Sequence, residues 1–137
     1  MHIQSLCTGK FCVASIWDAA LKLPEITAFL SSVESQYQAS AKGLDVLFHR
    51  YAQQGRGGLT SELFHEASKK DRIWEFKKGR LRVYCFMEED GNVLLLSHGI
   101  VKKDQKTKLT DIQRAATLRD HYIRAKRAGN LSWEKSE

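Results

Sequence analysis

The stretch "RLRVYCFMEEDGNVLLLSHGIV", residues 80–101, decides the fold because it has the pattern of a β-hairpin. In its first half, apolar residues alternate with cationic and aromatic ones, which is the period of two that a strand requires. The first set is Leu81, Val83, Cys85 and Met87, and the second is Arg80, Arg82, Tyr84 and Phe86. The acidic turn "EEDGN" then leads into a second strand. We therefore expect a hairpin with one core face and one cationic, aromatic face.

Elements on either side of this hairpin predict an α+β fold. "RIWEF", residues 72–76, predicts a third strand of the same sheet, and "KFCVASIW", residues 10–17, predicts an N-terminal strand. Apolar residues at helical spacing follow Pro24 over residues 26–33 and recur over residues 41–51, which predicts an antiparallel pair of helices. The expected order is strand, helix, helix, three strands and helix.

The C-terminal part of the chain predicts one more helix and a tail. Thr110 and Gln113 form a T-x-x-Q capping box, and an apolar stripe follows it to about Gly129. A chain of 137 residues with 42% hydrophobic content suits one core. We expect a single domain over residues 1–130 and a polar tail over residues 131–137.

Composition narrows the class of protein. No apolar run approaches the roughly 20 residues of a membrane span, so we expect a soluble, cytoplasmic protein without a membrane partner. The three cysteines, Cys7, Cys12 and Cys85, include no CxxC spacing, which favours reduced structural thiols over a zinc site.

The net charge of +6 is concentrated in two short segments. Residues 68–82 carry seven Lys and Arg against two Asp and Glu, and residues 101–137 carry ten against five. Two concentrated segments that a hairpin can bring together indicate a polyanionic ligand, most simply nucleic acid. An ordinary basic, solvated surface is the alternative.

Three stretches carry a resemblance to a known family: "IWEFKKGRLRVYCF" (73–86), "HGIVKKDQKT" (98–107) and "DIQRAATLRDHY" (111–122). They resemble the RelE/HigB superfamily of toxins, and within it the phage-derived Gp49-like branch. Departures are Ile100 where the family often has Phe, Lys108 where it often has Pro, and the unusual linker "RGGLTSELFHEASKKDR" (56–72).

The resemblance implies both a fold and an activity. The fold would be a RelE-like small, twisted, mainly antiparallel sheet with an N-terminal helical hairpin and a C-terminal helix. The activity would be that of a type II toxin, which enters the ribosomal A site and cleaves mRNA without a metal or other cofactor. Its partners would be mRNA, ribosomal RNA and an inhibiting antitoxin, expected to be a helix-turn-helix protein encoded beside it.

Basic residues of the hairpin and of the loop after it are the candidates for binding RNA. Lysines after a strand can contact phosphates, and a guanidinium can hold a phosphate through two hydrogen bonds. The candidates are Lys77, Lys78, Arg80, Arg82, Lys102, Lys103 and Lys106. Arg82 and Lys106 are also candidates for stabilising charge during cleavage. A solubilising lysine cluster, and arginines that block pairing at a sheet edge, are the alternatives.

Asp120, His121 and Tyr122 near the end of the last helix are the candidates for proton transfer. Adjacent helical residues point about 100° apart, so at most two of them can face one groove. Tyr122 also fits the apolar stripe, which favours a core position for it. His98, in the second hairpin strand, is expected to be a satisfied, partly buried histidine.

Two alternatives to the toxin hypothesis stay open at this point. The chain can be a binding module of the same fold, without catalysis, that acts on RNA or on a regulatory partner. It can also be a DNA-binding accessory protein of a mobile element, which is disfavoured because no helix-turn-helix spacing is evident.

Overall fold

The computed structural model describes residues 1–103 and 109–134, and in these residues eight strands and three helices form. The strands are β1 (His2–Thr8), β2 (Cys12–Asp18), β3 (Leu23–Pro24), β4 (Phe64–Ser68), β5 (Ile73–Lys78), β6 (Leu81–Met87), β7 (Val93–Val101) and β8 (Ser132–Glu134). The helices are α1 (Glu25–Ser32), α2 (Gln38–Gln54) and α3 (Leu109–Arg127).

The predicted hairpin is β6 and β7, and its pairing is antiparallel from Leu81 opposite Val101 to Met87 opposite Leu94. Gly91 in the connecting turn has φ of 77°, a conformation that glycine adopts without a Cβ clash. β5 extends the hairpin on the β6 side, as the sequence pattern predicts. The two hairpin strands therefore occupy the middle of the sheet.

The sheet is mixed, and its strands lie in the order β4-β5-β6-β7-β2-β1-β8, with β3 paired to β2. β2 pairs in parallel with β7, and β8 pairs in parallel with β1, whereas the other neighbours are antiparallel. The parallel pairing of β2 with β7 needs a long crossover, which α1, α2 and the β4–β5–β6 meander supply. An α+β fold is thus confirmed, and its sheet is mixed, with two parallel pairings.

Helices cover both faces of the sheet, so the predicted exposed cationic and aromatic face was wrong. Val83 and Cys85 of β6 belong to the cluster packed under α1 and α2, and Tyr84 and Phe86 belong to the cluster packed under α3. Tyr84 is 0% exposed and Arg82 is half-buried. Alternation identified two distinct faces correctly, but it carries no information about which of them another element will cover.

Strands β1 and β4 are absent from the sequence prediction because bulges interrupt their alternation. In β1 the register shifts between Ser5 and Cys7, so Ile3 packs under α3 while Cys7 packs under α2. In β4 the register shifts between Glu66 and Ser68. An extra residue in a strand reverses the facing of all later side chains, which hides the period of two.

The segment after α3 joins the sheet instead of leaving it. Ser132 donates its backbone N–H to the Met1 carbonyl oxygen at 2.9 Å, and the N-terminal ammonium donates to Asn130 O at 2.8 Å. These contacts anchor β8 beside β1 although its side chains are exposed. None of the helices in the described ranges is long and apolar enough to cross a membrane.

Candidate nucleic-acid interface

The apolar stripe of α3 determines where the predicted catalytic triplet lies. Ile112, Ala115 and Tyr122 are buried against the sheet, three to seven residues apart and hence on one side of the helix. Asp120 and His121 are exposed. The structure therefore separates Tyr122 from its two neighbours, as the angle between adjacent helical residues requires.

Tyr122 joins α3 to the turn between β6 and β7. Its hydroxyl donates a hydrogen bond to Glu88 Oε2, and the Lys126 ammonium donates to Glu88 Oε1. Burial and the adjacent Glu88 carboxylate raise the pKa of Tyr122 well above its ordinary value. The phenol therefore keeps its proton at neutral pH.

The predicted RNA-binding residues that the structure describes lie at the opposite end of β6 from Glu88. Lys102 donates its backbone N–H to Arg80 O at 2.7 Å, so the start of the cationic loop lies beside the turn between β5 and β6. Arg80, Lys103 and Lys78 are exposed, whereas Lys77 and Lys102 are half-buried.

Arg82 is half-buried and makes hydrogen bonds within the protein. The Arg82 guanidinium folds back on its own turn, and its Nη1 donates to Gly79 O at 2.8 Å and to Leu81 O at 2.9 Å. Its Nε atom is buried, with no hydrogen-bond partner among the described residues. Lys106 lies outside the described residues.

A groove of about 1070 Å³ runs around the other end of the sheet, and we call it the basic groove. Its lining includes Trp74, which packs with the α1–α2 side, and Phe86 and Tyr122, which pack with the α3 side. Three acids line it, namely Glu66, Glu88 and Glu89. Seven cations line it, namely Arg56, Lys69, Lys70, Arg72, Arg119, Lys126 and Arg127. The excess of positive charge makes this groove the strongest candidate for an anionic ligand.

One wall of the basic groove carries an aromatic stack. The Trp74 ring is stacked on Phe64, with centroids 5.0 Å apart and an interplanar angle of 16°. The Arg56 guanidinium carbon lies 5.1 Å from the Trp74 centroid, a cation–π distance. Because Phe64 occupies one face of the indole, Arg56 covers the opposite face.

The cations of the basic groove were not predicted as individual site residues from the sequence. Lys69, Lys70 and Arg72 fall within the basic segment 68–82, and they form the turn between β4 and β5. Arg119, Lys126 and Arg127 share the α3 stripe that contains Tyr122, at spacings of three to eight residues. The charge density of both segments was visible in the sequence, but their convergence depends on the fold.

A second arrangement of polar groups crosses the α3 side of the sheet, and we call it the polar row. His65, Glu75, Tyr84 and His98 are successive cross-strand partners on β4, β5, β6 and β7, and Asp111 of α3 completes the row. Glu75, Tyr84 and His98 are at most 1% exposed. His65 Nε2 lies 3.1 Å from Glu75 Oε1, and the Tyr84 ring stacks on His98.

Burial favours the neutral form of the His98 imidazole, and its two hydrogen bonds are compatible with that form. Its Nε2 lies 3.0 Å from Asp111 Oδ1 and its Nδ1 lies 2.8 Å from Ser97 Oγ, so a proton on Nε2 can be donated to Asp111 while Nδ1 accepts from the Ser97 hydroxyl. Burial lowers the pKa of His98 below its ordinary value of 6.5, although the hydrogen bond to Asp111 opposes this shift. His98 is thus a satisfied histidine, as the sequence predicted, and it is more completely buried than expected.

The centre of the polar row keeps two polar atoms without partners. Glu75 Oε2 and the Tyr84 hydroxyl are buried and make no hydrogen bond with any described residue. Burial, followed by the nearby Glu75 carboxylate, raises the pKa of Tyr84 well above its ordinary value. Within the described ranges, no group of three or more His, Cys, Asp or Glu residues has an arrangement suited to a metal ion.

Residues 29–120 match the family described as Phage derived protein Gp49-like. The match covers about two thirds of the chain, from within α1 to Asp120 of α3. The chain belongs to the Gp49-like family. This family belongs to the RelE/HigB-like toxin superfamily, which confirms the resemblance read from residues 73–122. Among curated proteins, no sequence matches the chain.

Some candidate residues lie within the region that matches the family, and others lie beyond it. The β4–β5 turn with Lys69 and Lys70 lies within the Gp49-like region. His121, Tyr122 and Lys126 lie beyond it, on the last two turns of α3. The basic groove therefore joins residues of the family region to residues of this chain's own C-terminal segment.

Proposed function

We propose that this protein is the toxin of a type II toxin-antitoxin system and cleaves ribosome-bound mRNA. The observation that carries the proposal is the basic groove, in which seven cations and three acids line one concave surface of a Gp49-like fold. Its volume of about 1070 Å³ slightly exceeds the roughly 300–1,000 Å³ of common small-molecule pockets, which suits a segment of a polymer. Membership of a toxin superfamily also supports an antitoxin as partner.

The chemistry we propose requires no bound cofactor. The ribose 2′-hydroxyl of mRNA gives up its proton to a general base and attacks the neighbouring phosphate. The bond from phosphorus to the 5′-oxygen breaks, and that oxygen takes up a proton, so the products are a 2′,3′-cyclic phosphate and a 5′-hydroxyl. Cations around the phosphate stabilise the negative charge of the transition state. In the basic groove, Lys69, Lys70 and Arg72 are exposed and free to take this position. Lys102 and Lys103 would contact a second part of the RNA, because Lys102 lies at the other end of β6.

We propose His121 and Asp120 as the residues that transfer protons during cleavage. The groove-lining residues of α3 form one stripe at Arg119, Tyr122, Ile123, Lys126 and Arg127. His121 and Asp120 lie beside this stripe and are exposed. RNA would reach them by passing from the groove over the exposed side of α3.

The first test reverses charge at the groove. The double variant Lys69→Glu with Lys70→Glu should raise KM for cleavage of ribosome-bound mRNA by about tenfold or more, because two phosphate contacts are replaced by repulsion. The matched control is Lys10→Glu with Lys42→Glu, which makes the same change of net charge at exposed positions outside the groove. Equal cleavage by both double variants would contradict the proposed role of the groove.

The second test concerns His121. If this residue exchanges a proton, His121→Gln should lower single-turnover cleavage on saturating ribosomes by about 10²-fold and leave binding nearly unchanged. His49→Gln, at an exposed histidine of α2, is the control. Normal cleavage by the His121 variant would assign catalysis to charge stabilisation by the lysines and arginines instead.

A catalytically inactive binding module of the same fold is the second candidate, and a specific observation favours it. The Tyr122 hydroxyl is already engaged by Glu88, and His121 does not line the groove. Induced expression in a bacterial host separates the two functions. The toxin should arrest growth and shorten mRNA, whereas a binding module should bind RNA, stay soluble and leave mRNA intact.

A further inference from the structure

The Trp74 ring stands in the basic groove at a position where a nucleic-acid base can stack on it. Phe64 is stacked on one face of the ring, and the Arg56 guanidinium carbon lies over the ring at a cation–π distance. The Arg56 side chain is exposed, so it can move outward and let a base stack on the indole. The indole face is therefore a prepared stacking surface in the free protein.

We propose that the basic groove binds a single-stranded segment of RNA by stacking one unpaired base on the outer face of Trp74, between the indole and the Arg56 guanidinium. This inference rests on the proposed function for the choice of RNA, and it adds the form in which RNA is bound. Exposed cations beside an aromatic platform are the combination by which proteins hold single strands.

Other residues of the groove can contact the RNA nucleotides on either side of the stacked base. Lys69, Lys70 and Arg72 stand on the β4–β5 turn, next in the chain to the strand that carries Trp74. The stacked base would lie over the indole while the phosphates on either side contact these cations. Phe86 and Ile123 supply apolar surface farther along the groove.

The interior of a paired duplex cannot use this surface. There the two faces of each base are covered by the neighbouring bases, so no face is free to lie on Trp74. The groove is lined by residues that pack on both sides of the sheet, which suits a flexible strand better than a stiff duplex. The substrate is thus an unpaired stretch of RNA with at least one base unstacked.

Trp74 itself supplies the measurement. In the variant Trp17→Phe with Trp133→Phe, Trp74 is the remaining tryptophan of the chain, and neither replaced residue lines the groove. The probe is a six-nucleotide 2′-O-methyl adenosine strand, which cannot be cleaved because its 2′-oxygens are blocked. Stacking should quench Trp74 fluorescence saturably, and a duplex of the same length should not.

Two further probes separate stacking from attraction by charge alone. An abasic strand of the same length carries the same phosphates, so it should bind weakly and leave Trp74 fluorescence unchanged. A DNA hexamer should also quench, since the base and the phosphates carry the proposed contacts. Equal quenching by the abasic strand, or salt-sensitive binding of the RNA without quenching, would overturn the stacking site.

Substitution provides an independent test. Trp74→Leu keeps an apolar side chain against Phe64 but removes the π face, and it should weaken binding of the 2′-O-methyl strand about five- to fiftyfold, as measured by anisotropy of a labelled strand. Trp17→Leu, outside the groove, should bind normally. Equal affinity of both variants would contradict the inference.

These binding experiments and the cleavage experiments can fail independently of each other. Quenching without cleavage on ribosomes would leave the stacking site standing and remove the endoribonuclease. Cleavage without quenching, and with normal activity of Trp74→Leu, would overturn the stacking site and leave the endoribonuclease standing.

Discussion

In the basic groove, cations outnumber acids and most of the cationic side chains are exposed, whereas in the polar row the central side chains lie within the core and face one another. Both regions consist of titratable residues on the same sheet. In the row, most groups contact a neighbour and these contacts stabilise the fold, while Glu75 Oε2 and the Tyr84 hydroxyl find no partner among the described residues. In the groove, Lys126 pairs with Glu88 and Arg119 with Asp120, but cations still outnumber acids, so a positive potential is available to a ligand.

Glu88 has features of both the basic groove and the polar row. It lines the groove, yet it is 10% exposed and accepts hydrogen bonds from Tyr122 and Lys126. It therefore contributes to stability, as the polar row does, while lowering the positive charge of the groove. The following predictions test how completely the two regions are separated.

Tyr84→Ala should have the largest effect on stability. The Tyr84 side chain is 0% exposed and stacks on His98, so truncation leaves a cavity in the core under α3. We expect a loss of about 3–5 kcal/mol in the free energy of unfolding, measured by urea denaturation. Tyr37→Ala, at a half-buried position next to α2, is the control and should lose much less. Similar losses for both would show that the polar row is not a stabilising centre.

Glu88→Ala should lower stability less than Tyr84→Ala does, and it should strengthen RNA binding. Its removal leaves the buried Tyr122 hydroxyl without an acceptor, which should cost about 1–3 kcal/mol. The same change should tighten RNA binding, since it removes a negative charge from the groove. Glu89→Ala, the exposed neighbour in the chain, should tighten binding with little loss of stability. Unchanged stability of Glu88→Ala would place this residue entirely in the groove.

The pH dependence of stability should report the neutral state of His98. Because its pKa is lowered in the folded protein, the unfolded chain binds the proton first as the pH falls through about 6.5. The stabilisation is complete above that pH and decreases from there down to the folded pKa. His98→Gln should flatten the urea midpoint over this interval relative to wild type, and His121→Gln should not. A wild-type midpoint that rises on acidification would require a raised pKa and would contradict the neutral imidazole.

Charge reversal in the groove should have the smallest effect on stability. Lys69→Glu with Lys70→Glu changes two exposed side chains, so the free energy of unfolding should shift by no more than about 0.5 kcal/mol. The salt dependence of RNA binding should nevertheless fall by about 0.7 for each lost phosphate contact. A large loss of stability would show that these lysines belong to the folded core network rather than to a free binding surface.

The sequence was informative wherever one residue pattern decided the outcome locally. The hairpin of β6 and β7 formed where alternation and Gly91 predicted it, and the three helices formed near their predicted limits. The core position of Tyr122 followed from the same helical stripe. The proton-transfer roles of His121 and Asp120, and the phosphate contacts of the nominated lysines, stay predictions.

The sequence was uninformative where a bulge or a distant partner decided the outcome. β1 and β4 lose their alternation at bulges, and β8 has three exposed residues that pair only because β1 lies beside them. The exposed cationic face was a wrong inference for a related reason. Burial of Tyr84 depends on α3, which begins 25 residues later in the chain.

By itself the sequence determined the family, the main secondary-structure elements and the two segments that hold the positive charge, because each depends on residues close together in the chain. Only the tertiary structure decided that Lys69 and Lys70 share a groove with Lys126 rather than with Arg80, and that Trp74 forms its wall. The reason is physical. Which charges converge depends on how α3 crosses the sheet and on which end of β6 each turn lies, and pairing between distant strands sets both.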